Sequence, residues 1–237
     1  LATGCGGTLI DPSWVLTAAH CVDSWLPELG YEVYIGLHSK DMYIDGAPAV
    51  TPNYERILID DVFIYPQYVL NGTSAWVESM GWPSYDTAFG SGIVGSSNCV
   101  GDCYSCGEFE YTRDITIVGW GLSDSGTETY LKELETDYIL GECGIYNNLC
   151  VGGSGFCPYK EQTMICMGSD DDGQCYGDSG GPSFMENAQS GDMELVGVVS
   201  WGGSTGLFYS EEDGGGCIPG IFGWFPSVHT KVEHFLP

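Results

Sequence analysis

The chain contains very few basic residues, and this shortage argues against the anionic partners that basic proteins bind. Only 6 of its 237 residues are Lys or Arg, against 33 Asp and Glu, so the formal net charge at pH 7 is -27. A surface with this charge repels polyanions, which argues against binding to nucleic acid or to an anionic membrane. We expect an acidic, well-solvated surface.

Two kinds of apolar segment are also missing. No apolar run reaches the ~18 residues that a membrane-spanning helix needs. Residues 1–4 lack the basic region and apolar core of a signal peptide. We therefore expect a soluble chain whose leader segment was removed or was never included.

Long helical patterns are scarce, whereas turn formers and short apolar runs are plentiful. The sequence has 36 Gly and 15 Tyr, and its apolar runs are broken by Gly, Pro, Asn, Asp and Ser, as in strands joined by turns. Strands are predicted at 32–37, 115–120 and 195–201, where β-branched or aromatic residues dominate. The apolar spacing within 228–237 permits a short terminal helix.

The 11 cysteines suit an oxidising compartment, which predicts a secreted protein. Cys99, Cys103 and Cys106 form a compact group, but no His lies near them, so disulfides are favoured over zinc. Asn71 begins a glycosylation sequon, Asn-Gly-Thr, which fits secretion. Because the count is odd, one thiol is free or pairs outside this chain.

Two short stretches carry residues suited to nucleophilic catalysis. The sequence GDSGGP at 177–182 places Ser179 among glycines, as a tight turn with an exposed hydroxyl and free backbone N–H groups requires. The sequence TAAHC at 17–21 places His20 beside Cys21, which a disulfide could lock in position. Either stretch alone is weak evidence, since a glycine-rich turn is more often a plain loop and a lone His more often lies in a core.

Five motifs in one order make the chain resemble the chymotrypsin family over nearly its whole length. They are CGGTLI at 5–10, WVLTAAHC at 14–21, GDSGGP at 177–182, VSWG at 199–202 and VHTKV at 228–232. The resemblance implies an all-β fold of two six-stranded Greek-key β-barrels with the active site in the cleft between them and a short C-terminal helix. The boundary is expected near residue 108, with the N-terminal barrel at 1–108 and the C-terminal barrel at 109–237.

The resemblance also implies a catalytic triad of His20, Asp86 and Ser179. Asp86 is chosen because YDTAF at 85–89 resembles the family's Asp-containing segment, although many other acids lie between His20 and Ser179. Ser179 would attack the peptide carbonyl, His20 would take and return the proton, and Asp86 would orient the imidazole. The backbone N–H groups of Gly177 and Ser179 would form the oxyanion hole, and no cofactor or metal is implied.

The same resemblance implies disulfides and a primary substrate pocket. The expected disulfides are Cys5–Cys21, Cys175–Cys217, Cys143–Cys166 and Cys150–Cys157, of which the last two depend on spacing alone. The expected pocket has its base near Gly173 and one wall at Ser200, Trp201 and Gly202, while the other wall is Ser227 or Gly220. Gly173 carries no charge, which favours large apolar or aromatic side chains, whereas the acidic runs 170–172 and 211–213 keep basic specificity open.

The start of the chain departs from the family pattern. In the family a freed N-terminal ammonium pairs with the acid before the nucleophile, here Asp178, but Leu1 lies only four residues before Cys5. We expect that the lead-in segment is absent from this chain, and that a separate peptide or second chain is linked through Cys99, Cys103 or Cys106. A zymogen would also fit.

Two other functions remain open from the sequence. A non-catalytic protease-fold subunit, acting as a binding or structural module in an extracellular assembly, would also fit the unusual start and loops, although such a module does not need three catalytic groups. A calcium site at residues 170–172 is weaker, because three consecutive acids do not point at one ion.

Overall fold

The computed structural model describes residues 4–22, 30–43, 51, 53–65, 114–123, 126–137, 163–168, 173–202 and 227–235. These residues form strands and three short 3-10 helices, which confirms the predicted all-β class. The arrangement fits the two-barrel fold that the resemblance implies. In this described part of the chain, no helix is long and apolar enough to cross a membrane.

In the first half, the described residues form two antiparallel strand pairs. Strands β1 (Thr8–Asp11) and β2 (Trp14–Leu16) form a hairpin that leads into a 3-10 helix at Ala19–Cys21. Strands β3 (Glu32–Ile35) and β4 (Glu55–Leu58) form the second pair. A second 3-10 helix, Lys40–Met42, follows β3.

In the second half, the described residues form a six-stranded sheet and a small hairpin. Strands β5 (Asp114–Gly119) and β8 (Lys132–Asp137) flank the small hairpin of β6 (Leu122–Ser123) and β7 (Gly126–Thr127). The remaining strands are β9 (Met164–Met167), β10 (Pro182–Glu186), β11 (Met193–Gly202) and β12 (Ser227–Lys231). The six-stranded sheet has the order β8-β5-β10-β11-β12-β9, and every neighbouring pair in it is antiparallel.

The core of this sheet is aliphatic. It is a cluster of buried Ile115, Ile117, Ile165, Met167 and Val199. Ile115 and Ile117 alternate along β5, so they lie on the same face of the sheet, as the two-residue period of a strand requires. Each such side chain contributes about 1.5–3 kcal/mol when it is fully buried, so this face anchors the strands that carry the site.

The predicted strands agree with β3, β5 and β11, whereas the helix permitted at 228–237 forms over only part of that range. Residues 228–231 were expected to permit a helix, but they belong to β12, and a 3-10 helix begins only at Val232 and ends at Phe235. Two of these strand residues, Val228 and Thr230, are β-branched, and β12 pairs on both sides with β11 and β9. Tertiary pairing therefore decides the conformation that the apolar spacing left open.

Candidate active site

Ser179 lies at the tip of a tight double turn between Cys175 and β10. The Asp178 N–H donates to the Cys175 carbonyl oxygen at 3.1 Å, and the Gly181 N–H donates to the Asp178 carbonyl oxygen at 2.9 Å. Gly177 and Gly180 have φ values of 98° and 78°, a backbone conformation that residues with a side chain rarely adopt. The glycines of this motif are therefore required by the shape of the turn, which leaves Ser179 half-buried.

His20 lies in the 3-10 helix Ala19–Cys21, which is tied to the start of the chain. A disulfide joins Cys21 to Cys5, with their Cα atoms 6.0 Å apart. The Thr17 hydroxyl donates to the Gly6 carbonyl oxygen at 2.8 Å, so the segment is held on both sides of His20. His20 itself is half-buried.

The serine turn and the histidine segment pack directly against each other. The Gly6 N–H donates to the Ser179 carbonyl oxygen at 2.7 Å. A side chain added at Gly180 would collide with the Thr17 hydroxyl and would come within 3.1 Å of the Ala18 nitrogen. Because only a glycine fits there, the backbone beside Ser179 approaches the residues that immediately precede His20.

The oxyanion donors proposed from the sequence lie on the same turn. Among the residues that the structure describes, neither the Gly177 N–H nor the Ser179 N–H donates a hydrogen bond. Backbone N–H groups without an internal partner are rare in folded proteins unless water or a ligand binds them. No described residue therefore accepts a hydrogen bond from either N–H group.

The carboxylate of Asp178 points away from the turn into a buried site. It accepts hydrogen bonds from the Gly121 N–H at 2.7 Å and from the Cys175 N–H at 2.9 Å. Side chains at Gly119 or Gly121 would overlap the carboxylate, so both positions must be glycine for it to fit. Burial raises the pKa of Asp178, and the two N–H donors and the more distant charge of Lys40 oppose that rise.

Lys40 does not contact this carboxylate. Its ammonium instead donates to the Trp120 carbonyl oxygen at 3.2 Å. Within the described ranges, no cationic side chain forms an ion pair with Asp178. An ammonium group placed beside a buried carboxylate that lacks a cationic partner stabilises its charged form.

The predicted pocket residues converge beyond the serine turn. Gly202 pairs with Ser227 across β11 and β12, and the Ser227 hydroxyl lies 3.1 Å from the position of a Cβ added at Gly173. The backbone N–H of Gln174 donates to that hydroxyl at 3.2 Å, and the Gln174 side-chain amide donates to the Trp201 carbonyl oxygen at 2.9 Å. Ser200 is buried at the same end of β11.

Sequence reasoning overlooked Gln174 at this site. The residue follows the predicted pocket base, Gly173, and precedes Cys175. That position, beside an uncharged pocket base, was the available signal.

Several predicted residues lie outside the described part of the chain. Cys166 and Cys175 are both disulfide-bonded, but their expected partners belong to that undescribed part. The residues concerned are Asn71, Asp86, Cys99, Cys103, Cys106, Cys143, Cys150, Cys157, Cys217 and Gly220, together with the acidic runs 170–172 and 211–213. Their roles stay predictions.

One group of potential metal ligands lies beside the site. The ligand atoms of Cys5, His20 and Cys21 all lie within 4.8 Å of one another. Both sulfurs are already joined in a disulfide, whereas a metal binds thiolates. This group therefore does not form a metal site while the disulfide is intact.

Comparison with known proteins finds one family over most of the chain. The family model described as Trypsin matches residues 2–210. The U21-ctenitoxin-Pn1a of Phoneutria nigriventer is 24% identical, with 98% of this chain and 84% of the relative covered. The venom peptide isomerase heavy chain of Agelenopsis aperta is 28% identical over 98% of this chain and 84% of its own. The lectizyme of Glossina austeni is 29% identical over 97% of this chain and 76% of its own.

Proposed function

The chain belongs to the trypsin family, and from that membership we propose that it is a secreted serine endopeptidase with Ser179 as nucleophile and His20 as general base. The observation that supports this most strongly is the contact between the two loops. The Gly6 N–H donates a hydrogen bond to the Ser179 carbonyl oxygen at 2.7 Å. Gly6 follows Cys5, whose disulfide with Cys21 joins this segment to the one that carries His20.

The proposed reaction proceeds through an acyl-enzyme. The Ser179 oxygen bonds to the substrate carbonyl carbon while His20 takes the hydroxyl proton, and the imidazolium then gives that proton to the departing amine as the peptide bond breaks. Water repeats the sequence to release the acid and to restore the Ser179 hydroxyl. Asp86 is proposed to fix the tautomer of His20.

The backbone N–H groups of Gly177 and Ser179 are proposed to hold the oxyanion that develops during attack. Donors already oriented toward the developing charge need no rearrangement at the moment of reaction. Asp178 is proposed to bind the ammonium group of a processed N-terminus. Two N–H donors already orient its carboxylate, and an ammonium would offset the burial that raises its pKa.

The substrate is proposed to be a protein or peptide with an uncharged residue in the primary pocket. Gly173 at the pocket base has no charge to pair with Lys or Arg. The sequence favours large apolar or aromatic residues at this position of the substrate. Such residues also require space between Gln174 and Trp201, where the Gln174 side-chain amide donates a hydrogen bond to the Trp201 carbonyl oxygen at 2.9 Å.

Secretion is proposed on separate grounds. The chain has 11 cysteines, and two of its relatives are named as a venom protein and a toxin. The same proposal includes glycosylation at Asn71, a barrel boundary near residue 108 and a second chain linked through Cys99, Cys103 or Cys106.

The test is hydrolysis of a mixed peptide library by the purified secreted protein. We expect Ser179→Ala and His20→Ala to lower kcat/KM by a factor on the order of 10⁶. Ser13→Ala, at an exposed serine in the β1–β2 turn, is the control and should retain full activity. Equal turnover by the wild type and Ser179→Ala would refute the proposal, and complete inactivity of the processed protein would favour a non-catalytic subunit.

A further inference from the structure

A single peptide unit separates the ammonium of Lys40 from the carboxylate of Asp178. The ammonium donates to the Trp120 carbonyl oxygen at 3.2 Å. The N–H of the same peptide unit belongs to Gly121 and donates to a carboxylate oxygen of Asp178 at 2.7 Å. The described peptide bonds are trans, so the oxygen and the N–H of this unit point in opposite directions. The cation and the carboxylate therefore lie at the two ends of one peptide dipole.

This order of groups is favourable at both ends of the peptide. A peptide oxygen carries partial negative charge and faces the ammonium, whereas the N–H carries partial positive charge and faces the carboxylate. Hydrogen bonds joined in this way polarise one another, so an ammonium at the oxygen makes the N–H a stronger donor. Lys40 therefore strengthens the hydrogen bond that Gly121 donates to Asp178, although it does not contact the carboxylate.

The backbone around Lys40 is fixed to a neighbouring segment of the chain. The Lys40 N–H donates to the Thr129 carbonyl oxygen at 2.8 Å, and the Leu131 N–H donates to the His38 carbonyl oxygen at 2.9 Å. Ser39, between these two contacts, is buried. The side chain of Lys40 therefore starts from a fixed point when it reaches the Trp120 carbonyl oxygen.

Glu128 is a second carboxylate on which the charge of Lys40 acts. Glu128 accepts a hydrogen bond from the Ser123 hydroxyl and lies 3.4 Å from the ammonium of Lys132. Lys40 lowers the pKa of Glu128 and also opposes the rise in the pKa of Asp178. Because Glu128 has a hydrogen bond and a lysine of its own, it does not need Lys40 for its charge.

The charge of Asp178 matters because both of its oxygens accept hydrogen bonds. One accepts from the Gly121 N–H at 2.7 Å and the other from the Cys175 N–H at 2.9 Å. A protonated carboxyl group has a hydrogen on one oxygen, and that hydrogen would face an N–H donor. One of the two hydrogen bonds would then be lost. Protonation would therefore loosen the turn in which Ser179 follows Asp178.

We propose that Lys40 is a positioning residue for the serine turn, acting on Asp178 through the Trp120–Gly121 peptide rather than by contact. The inference rests on the proposed function in one respect, because the turn matters for catalysis if Ser179 is the nucleophile. The effect of Lys40 on Asp178 does not depend on catalysis. It would add to that of the ammonium group proposed above.

The test follows the amide proton of Gly121 by NMR as the pH of the ¹⁵N-labelled protein is varied. Its chemical shift reports the charge of Asp178, and loss of the titration in Asp178→Asn identifies the source. Lys40→Met keeps the length of the side chain and removes its charge. Since the ionised form loses a favourable charge, the midpoint should rise by about 0.5–1 pH unit, less than the 1–3 units of a direct contact. Equal midpoints in Lys40→Met and the wild type would overturn the proposal.

Two further variants separate the charge from the structure. Lys40→Arg keeps a cation and should have the wild-type midpoint. Lys231→Met removes a lysine that is also half-buried, with its ammonium 3.8 Å from Glu233, and should leave the midpoint unchanged. An equal rise in Lys231→Met would show a general effect of net charge and would overturn the proposal. If Lys40→Met does not fold, Lys40→Gln removes the same charge and is judged against the same controls.

The amide proton of Gly181 tests whether the charge of Asp178 affects the serine turn. Gly181 donates to the Asp178 carbonyl oxygen at 2.9 Å, within the turn itself. We expect its chemical shift to change with the same midpoint as that of Gly121. A Gly181 shift that stays constant through that midpoint would overturn the role of Lys40 in positioning the turn.

The two proposals fail in different ways. Absence of peptide hydrolysis together with the expected rise in Lys40→Met would count against the enzyme and would leave the effect of Lys40 on Asp178 standing. Hydrolysis with an unchanged midpoint in Lys40→Met would count against Lys40 alone.

Discussion

Gly180 determines how closely Ser179 approaches the histidine segment. With φ at 78°, and with the Thr17 hydroxyl and the Gly6 carbonyl oxygen where an added Cβ would lie, this position has no room for a side chain. We expect Gly180→Ala to cost at least about 1–3 kcal/mol of unfolding free energy through backbone strain. The displaced turn should also lower kcat/KM by at least about 100-fold, because a shift of about 1 Å has that effect. Urea unfolding and peptide hydrolysis measure the two effects.

Gly191 provides a matched control for Gly180. Its φ is 74°, but the nearest atom to an added Cβ is 3.8 Å away, in the Glu186 carboxylate. Gly191→Ala should therefore show the strain without the loss of activity. If both variants retained full activity, close packing beside Ser179 would not be needed for catalysis.

His229 is a buried histidine whose titration should be visible in protein stability. Its side chain is fully buried on β12, its Nδ1 lies 3.1 Å from the Ser183 hydroxyl, and burial lowers its pKa from 6.5 to about 3. In the unfolded chain the His229 imidazole therefore gains a proton below pH 6.5, whereas in the folded chain it gains one only at about pH 3. The contribution to stability is complete above pH 6.5 and is lost as the pH falls through this window.

We expect His229→Phe to remove about 1 kcal/mol per pH unit from the slope of unfolding free energy between pH 6.5 and 4.5. Urea unfolding at several pH values measures the slope. Ser183→Ala removes the hydrogen bond but not the burial, so it should lower stability at every pH and keep the slope. Identical slopes for the wild type and His229→Phe would show that His229 titrates normally in the fold.

The link between β1 and the helix that carries His20 is covalent. The Cys5–Cys21 disulfide closes a loop with a sequence separation of 16. Removing both cysteines, as Cys5→Ala with Cys21→Ala, should cost about 3 kcal/mol by restoring the freedom of the unfolded chain. In a chain of this size the melting temperature should fall by about 6–12 °C. An unchanged melting temperature would mean that the hairpin and the Thr17 hydrogen bond already fix the segment.

The strands that carry the site could largely be predicted from local sequence. Strands β3, β5 and β11 are short runs of β-branched and aromatic residues, and a period of two is visible within a few residues. The same patterns could not give contacts between distant residues. Gln174 meets Trp201 across 27 positions, and His229 meets Ser183 across 46. Such contacts depend on strand register, which no local pattern reports.

The motifs around Ser179 and His20 were informative for a different reason. Their glycines and small residues are needed because two backbones come into contact, as Gly180 and Ala18 do. That requirement leaves a mark in the sequence. Gln174 gives only the signal of its position between Gly173 and Cys175, since a glutamine at a surface position would look the same.

The acidic charge acts on the whole molecule. A formal charge of -27 on 237 residues favours expansion through self-repulsion, and salt screens that repulsion. We expect the melting temperature to rise by a few degrees when NaCl is increased from about 0.02 to 0.5 M, equivalent to about 1–2 kcal/mol. KCl should act equally, because the effect depends on ionic strength. A melting temperature that does not change with salt would show that the charges are already too far apart to matter.

The proposed catalysis requires that His20 activate the Ser179 hydroxyl. It can be measured by peptide mapping with mass spectrometry after reaction of the folded protein with a fluorophosphonate, which phosphonylates an activated serine oxygen with loss of fluoride. We predict one adduct, on Ser179, that is lost in the unfolded protein and in His20→Ala. An adduct on another residue, or equal labelling of Ser179 after His20→Ala, would show that His20 does not activate Ser179.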